Sequence, residues 1–208
     1  SENPDSQGFL SKLLAEIKGK PFYITMYKTG KIREIKNFDS IFFNAFKKIP
    51  EMSEAQKQQL KEQLTKNFGD KAFKGNFETV TAIFPEKPVS IGSNWTINTQ
   101  MEAGMGAMVS TEYILKEMND SYCIITGNGV IKTDDKDAYI QISGMPTRYN
   151  LLGTTLLTIK IDRKSGWVMT SDSKQNMEGN VEIKDNPIIP GGMTLPIKFE
   201  SQLSIGSK

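Results

Sequence analysis

From residue 95 to residue 205, apolar and polar side chains alternate with a period of two, segment after segment. The last segment shows it most clearly. In Leu195-Pro196-Ile197-Lys198-Phe199-Glu200-Ser201-Gln202-Leu203-Ser204-Ile205 the odd positions are apolar apart from Ser201, and the even positions are polar apart from Pro196. Successive side chains of a strand point to opposite faces, so this segment is a strand with one dry face and one wet face. Antiparallel sheets carry that alternation, whereas parallel sheets, covered on both faces, read as continuous apolar runs. The pattern predicts strands at 95–102, 108–118, 121–133, 138–143, 151–162, 167–183 and 193–205. Asn119-Asp120, Asp134 to Asp137 and Arg163 to Gly166 read as short turns between them. Short connections between successive strands make a meander.

The first 84 residues read differently. Phe9, Leu10, Leu13, Leu14 and Ile17 recur at helical spacing, with Gly19 as the stop. Phe22 to Tyr27 and Ile32 to Ile35 form a hairpin around the turn Lys28 to Lys31. Residues 39–84 then read as a helical block. Ile41, Phe42, Ala45, Phe46 and Ile49 make one apolar face, which Pro50 ends. Ser53 with Gln56 opens a second helix, striped by Leu60, Leu64 and Phe68 and stopped at Gly69. Asp70 caps a third, with Phe73, Phe77, Val80 and Phe84 along one side. The stiff segment Pro85 to Pro88 leads through 94 into the strands. The expected architecture is a single α+β domain: a curved, half-barrel-like antiparallel meander with a helical layer packed on it.

Two features predict curvature. Gly127 and Gly129 fall on the apolar face of their strand, as curled sheets require. Segment 167–183 would extend roughly 55 Å as a straight strand, so it must bend, twist or break. Its inward positions are Trp167, Met169, Ser171, Ser173, Gln175, Met177, Gly179, Val181 and Ile183. The expected core joins Trp167 and Met169 to Leu157, Ile159 and Ile161, and to Leu195, Ile197, Phe199 and Leu203. Ser171, Ser173 and Gln175 make the middle of the inward face polar, which fits either a strand that overhangs into solvent or the wall of a partly polar cavity. If connections alternate ends, 103–107, 134–137 and 163–166 share one end, while 119–120, 144–150 and 184–192 share the other. The second end holds the apolar loops Met145 to Tyr149 and Asn186 to Gly192, with Met145, Tyr149, Ile188 and Ile189 as candidate ligand contacts.

The chain has no histidine, which removes the commonest general base and metal ligand together with Ser-His and Cys-His nucleophile systems. No glycine-rich phosphate motif opens a helix. Asp134, Asp135 and Asp137 lack the spacing of a calcium loop and read as a hairpin turn. A net charge of +2 with dispersed cations argues against nucleic acid. No stretch approaches the ~20 apolar residues of a membrane span. Cys123, alone within an apolar run, reads as a small buried hydrophobe. Met101, Met105 and Met108 around Gly104 and Gly106 read as a mobile hairpin. No cofactor, metal or catalytic residue is expected.

Three stretches carry a resemblance. They are Gly19-Lys20-Pro21-Phe22 leading into Lys28 to Lys31, Phe84 to Trp95, and Pro190-Gly191-Gly192-Met193-Thr194-Leu195-Pro196. Together they resemble a family of uncharacterised secreted or lipid-anchored bacterial proteins, a domain of unknown function. The resemblance implies a periplasmic or cell-envelope location, and an upstream portion of the sheet that this chain lacks. The architecture is also similar to periplasmic lipoprotein carriers and related lipid-binding half-barrels. The expected function is non-catalytic: binding of a lipid-like or other apolar small molecule, or of an envelope protein. The alternative is a structural or interaction module with no ligand cavity.

Overall fold

The computed structural model describes residues 15–47, 58, 65, 69–102, 106–142 and 144–206. The helix expected around Phe9 to Ile17 lies outside these residues, save that 15–17 are helical. So does the helix expected from Ser53 to Phe68, save Gln58 and Thr65, both helical. The described elements begin with a hairpin, β1 (Tyr23–Met26) and β2 (Ile32–Lys36), followed by α1 (Phe38–Lys47) and α2 (Asp70–Thr81). The strands follow as β3 (Asn94–Glu102), β4 (Gly106–Met118), β5 (Tyr122–Thr133), β6 (Ile140–Ile142), β7 (Met145–Asp162), β8 (Val168–Ile183) and β9 (Met193–Gly206).

These last seven strands form one open antiparallel sheet in the order β3-β4-β5-β7-β8-β9. The meander is therefore as expected, with one exception. β5 and β6 both pair antiparallel with β7, β5 against residues 152–162 and β6 against 145–147. They are one interrupted strand, and Asp134 to Tyr139 is an excursion within it, not a hairpin turn. The chain reverses at Gly144, whose φ of 80° suits glycine. Met145 to Tyr149 is accordingly strand, not loop. The joins from β3 to β4, β5 to β6, β6 to β7 and β8 to β9 thus share one end of the sheet, which we call the top. Connections 119–121 and 163–167 share the bottom.

Opposed residues of antiparallel strands share a face, so the register traces rows across the sheet. One row runs Thr99, Val109, Ile131, Gly153, Met177, Phe199. On this inner face the core divides in two. At the bottom, Ile83, Tyr113, Leu115, Ile125, Ile159 and Ile161 are buried together. Toward the top, Ala107, Val109 and Ile131 are buried against Met101 and Met177. Between them the face is narrow: a Cβ on Gly127 would lie 2.9 Å from the Tyr113 ring, and one on Gly129 2.6 Å from Thr155 and 2.7 Å from Thr111. Tyr113, Thr111 and Thr155 are the cross-strand partners of these glycines and stand over them.

The α-helical contribution differs from expectation. α2 lies along edge strand β3. Phe73 stacks on Phe77 (5.4 Å between centroids) and meets Phe22 at 5.5 Å and Phe38 at 4.6 Å, joining α2 to the hairpin and α1. The helix ends at Thr81, before Phe84. Its N-cap is Gly69, without a side-chain hydrogen bond, and Asp70 sits in the first turn, where its charge favours the helix dipole.

Two features of the expected core are also overturned. The β7–β8 register shifts between Lys160 and Ile161, so that Ile161 opposes Val168. A bulge of this kind reverses parity. Val168 therefore packs against the bottom core, while Trp167 is 63% exposed. Second, the apolar row of β9 has the expected face but, among the described residues, no cover: Phe199 is 46% exposed, and Leu195, Ile197, Leu203 and Ile205 are exposed as well. The long strand β8 is accommodated by a glycine at φ 149°, Gly179.

Ile161→Ala is expected to cost about 2–5 kcal/mol, through lost burial and the cavity left beside Ile159 and Ile83. Leu156→Ala, on the exposed outer face, should cost less than about 1 kcal/mol. Urea denaturation followed by circular dichroism measures both; equal losses would contradict the assignment of the inner face.

Candidate functional site

The bottom of the sheet carries a groove whose walls follow from two turns. One is the hairpin tip, where the Tyr27 N–H donates to the Lys31 carbonyl (2.8 Å) and the Gly30 N–H to the Tyr27 carbonyl (2.9 Å). Gly30 is buried against α2, and a Cβ there would lie 1.6 Å from the Thr81 carbonyl oxygen, so no other residue fits. Thr81 Oγ1 donates to the Gly30 carbonyl (2.8 Å), and the Ile32 N–H donates to Glu78 Oε1 (2.6 Å). These bonds fasten the hairpin to the end of α2.

The other wall is the β7–β8 turn. Asp162 Oδ1 accepts from the backbone N–H and the hydroxyl of Ser165, both at 2.7 Å. The Ser165 hydroxyl first, then the backbone donor, hold the Asp162 carboxyl below its usual range. That turn places Trp167 at its exit. Beneath both walls runs the connector after α2, held by Trp95 Nε1 donating to the Ile83 carbonyl (3.0 Å). Trp95 stacks on Tyr113 (5.9 Å), whose burial pushes its hydroxyl up to about 12.

The resulting groove has a volume of about 380 Å³ and is lined by Met26, Tyr27, Ile83, Phe84, Trp167 and Val168, with Lys28 at the hairpin tip. Behind Phe84 lies a second cleft of about 500 Å³, where Val89, Trp95 and Ile97 meet Lys31, Glu86 and Lys87. The groove is within the size range of small-molecule sites and apolar with few charges, as such sites are. Sequence reasoning missed it. The available signal was a large aromatic, Trp167, directly after the turn Lys164-Ser165-Gly166, where a polar residue is usual.

The residues expected to bind a ligand are not brought together. Ser171 is buried on the inner face between Ile159 and Ile205. Ser173 opposes Leu157 and Leu203, and Gln175 opposes Thr155 and Ser201; both are half-buried. Tyr149 is half-buried opposite Val181, and Met145 is half-buried opposite Ile142 at the start of β7. Ile188 is exposed and Ile189 half-buried in the top turn, where Asn186 Oδ1 accepts from both their backbone N–H groups. From Ser171 to Ile183 is 12 residues of strand, about 40 Å at ~3.3 Å per residue. The serines and the top turn therefore belong to different regions.

The top of the sheet holds a polar cluster instead. Glu182 accepts from Arg148 (2.6 and 3.0 Å) and from the Tyr139 hydroxyl. The Arg148 guanidinium and the Lys184 ammonium lie 5.1 and 5.5 Å from the Tyr139 ring centroid. The Tyr139 hydroxyl, then Arg148, hold the Glu182 carboxyl below its ordinary range, and Tyr139 is raised in turn. The three aspartates of the 134–139 excursion are separately engaged. Asp134 accepts from Gln100 (3.0 Å), Asp135 from the backbone N–H groups of Asp137 and Ala138, and Asp137 lies 4.0 Å from Arg148. Cys123 is half-buried against the bottom core, and burial raises its thiol. Of the methionine hairpin, 103–105 lie outside the described residues, Met101 packs in the upper core and Met108 is exposed on the outer face.

Residues 1–168 match the profile of DUF6263, a family of unknown function, and the chain belongs to that family. Neither the curated proteins nor the solved structures contain a match. Among the described residues, no helix is long and apolar enough to cross a membrane.

The lowered Glu182 carboxyl has a consequence for acid stability. A group that binds its proton more weakly when folded stabilises the fold above its ordinary pKa of about 4.3. That contribution is lost as pH falls through the lowered folded value. Glu182→Gln should therefore show a shallower fall in melting temperature between pH 5 and pH 3 than the parent, and the difference should shrink in high salt. Parallel acid limbs would mean that the Tyr139–Glu182–Arg148 contacts do not persist in solution.

Proposed function

We propose that this DUF6263 protein is a non-catalytic binding protein of the bacterial envelope, taking an apolar, lipid-like ligand at the bottom of its sheet. The observation that carries the reading is the exposure of Trp167 and Tyr27, 63% and 55% accessible, on the walls of one apolar groove. Large aromatics left in water beside a concave apolar surface gain about 25 cal/mol for each Å² of apolar area that a ligand covers. Lys28 at the groove, with Lys31 and Lys87 behind Phe84, favours a ligand with an anionic head. The non-catalytic part of the reading rests on a sequence without histidine and on carboxylates tied to separate partners. The envelope location rests on the resemblance of the Gly-, Pro- and Trp-bearing segments, and the carrier-like reading on the similarity of a long-stranded antiparallel meander to lipid-binding half-barrels. The exposed apolar row of β9 favours a second reading, an interaction module.

A fluorescent fatty acid tests the first reading. It should bind with a shift in tryptophan emission, because Trp167 is the exposed one of the two tryptophans. Trp167→Ala should weaken binding at least about tenfold, equivalent to about 1.4 kcal/mol, without lowering the melting temperature. Lys28→Ala should weaken the fatty acid more than its uncharged alcohol. Uptake that is absent, or indifferent to Trp167, would remove the groove from consideration and leave the interaction module.

A further inference from the structure

We propose that β9 is a self-complementary edge, and that two copies of this chain pair antiparallel through it about a two-fold axis at Phe199. β9 is an edge strand of the sheet, 14 residues long, and all but one of them are exposed. The opposite edge strand, β3, is in contact with α2. A long uncovered edge with an apolar row is a template for another strand.

Face matching excludes half of the registers, and the pairing of opposite charges selects among the rest. Opposed residues share a face, so an apolar position must meet an apolar-face position. That demands that odd residues oppose odd ones, and it excludes every register in which the two residue numbers add to an odd sum. Of the even sums, 396 opposes Lys198 to its own copy and 400 opposes Glu200 to its own copy, each a like-charge clash. The sum 398 lies between them and opposes Lys198 to Glu200 of the second copy, twice, on the outer face. On the inner face the same register sets Phe199 against Phe199, Leu195 against Leu203, Met193 against Ile205 and Ile197 against Ser201. Thr194 meets Ser204. This is the isologous arrangement of a two-fold interface.

Charges on the neighbouring strand agree. Lys198 opposes Glu178 of β8, so in the pair it lies between two carboxylates. In the single chain Lys198 turns to Glu200 two residues along its own strand, at 2.8 Å. Pro196 is consistent with the geometry. Proline within a sheet turns its missing N–H to a free edge, so even-numbered residues present their backbone groups outward. Phe199 then forms a non-hydrogen-bonded pair, Cα atoms about 4.5 Å apart, with Lys198 and Glu200 forming hydrogen-bonded pairs on either side. Position 196 contributes one bond fewer.

Sedimentation of the full chain across micromolar concentrations should show twice the chain mass. Lys198→Glu should convert it to a monomer, and Lys198→Glu combined with Glu200→Lys should restore the dimer. In a Cys123→Ser background, Phe199→Cys should form an intermolecular disulfide on mild oxidation, because the expected Cα separation suits one. Ser201→Cys should not, since its copy is displaced along the edge. A chain that stays monomeric throughout overturns the proposal, as does a dimer indifferent to Lys198→Glu. Cross-linking at 201 but not 199 refutes the register. Circular dichroism of each variant confirms folding, which β9's exposed side chains should leave intact.

Discussion

The structure depends on the absence of side chains at Gly127 and Gly129. Both lie on the inner face of β5, where the rings and methyl groups of Tyr113, Thr111 and Thr155 come within 3 Å of where a Cβ would be. These residues are the cross-strand partners of the two glycines. Their approach narrows the middle of the face, where threonines stand, two of them buried. Apolar volume is displaced to either side, into a bottom core around Ile83 and Ile161 and an upper one around Ile131. The bottom core is in turn what fixes the connector after α2. Ile83 is its deepest residue, and the Trp95 indole bonds the Ile83 carbonyl. The hairpin tip, bonded to Thr81 through Gly30, is thereby placed at the same end.

Because parity is a local property, the alternation predicted faces well and interruptions poorly. It placed Gly127 and Gly129 of β5 and Leu157, Ile159 and Ile161 of β7 on the inner face correctly from residue types alone. It failed where a bulge reversed the count, at Val168, and where one strand position was shared by two segments, β5 and β6. Both failures are events of pairing between strands distant in sequence, so a single segment carries no trace of them. The alternation also says which side of a strand is apolar, not whether anything covers it. Phe199 has the correct face and nearly half its surface in water.

The candidate site was less legible for a related reason. Apolar loops were expected to mark it, but Ile188 and Ile189 are held by a self-contained turn. Besides the Asn186 bonds, Asp185 Oδ1 accepts from the Gly191 N–H (2.7 Å). The groove instead joins residues 26–28, 81–84 and 165–168, three segments distant in sequence. No spacing rule within one segment could assemble them. The polar run Ser171 to Gln175 proved neither a clear overhang nor a wall of that groove. Its first member is buried in the lower part of the inner face, and the next two oppose the exposed Leu203 and the half-buried Ser201 of β9.

The groove and the β9 edge are separable surfaces on one sheet. Trp167 and Val168 stand at the bottom of β8, against the β1–β2 hairpin and the end of α2. The midpoint of β9 lies beside Met177, well up the same strand. From Val168 to Met177 is nine residues, about 30 Å at ~3.3 Å per residue. A two-fold axis at Phe199 would therefore carry the two grooves to opposite ends of the joined sheets, clear of the contact. The inner face between them would become continuous, with Met177, Phe199 and their copies in one row across the seam. Residues left exposed in one chain would then flank each other, which gives the polar and apolar patches of β8 and β9 a common physical setting and leaves the groove untouched.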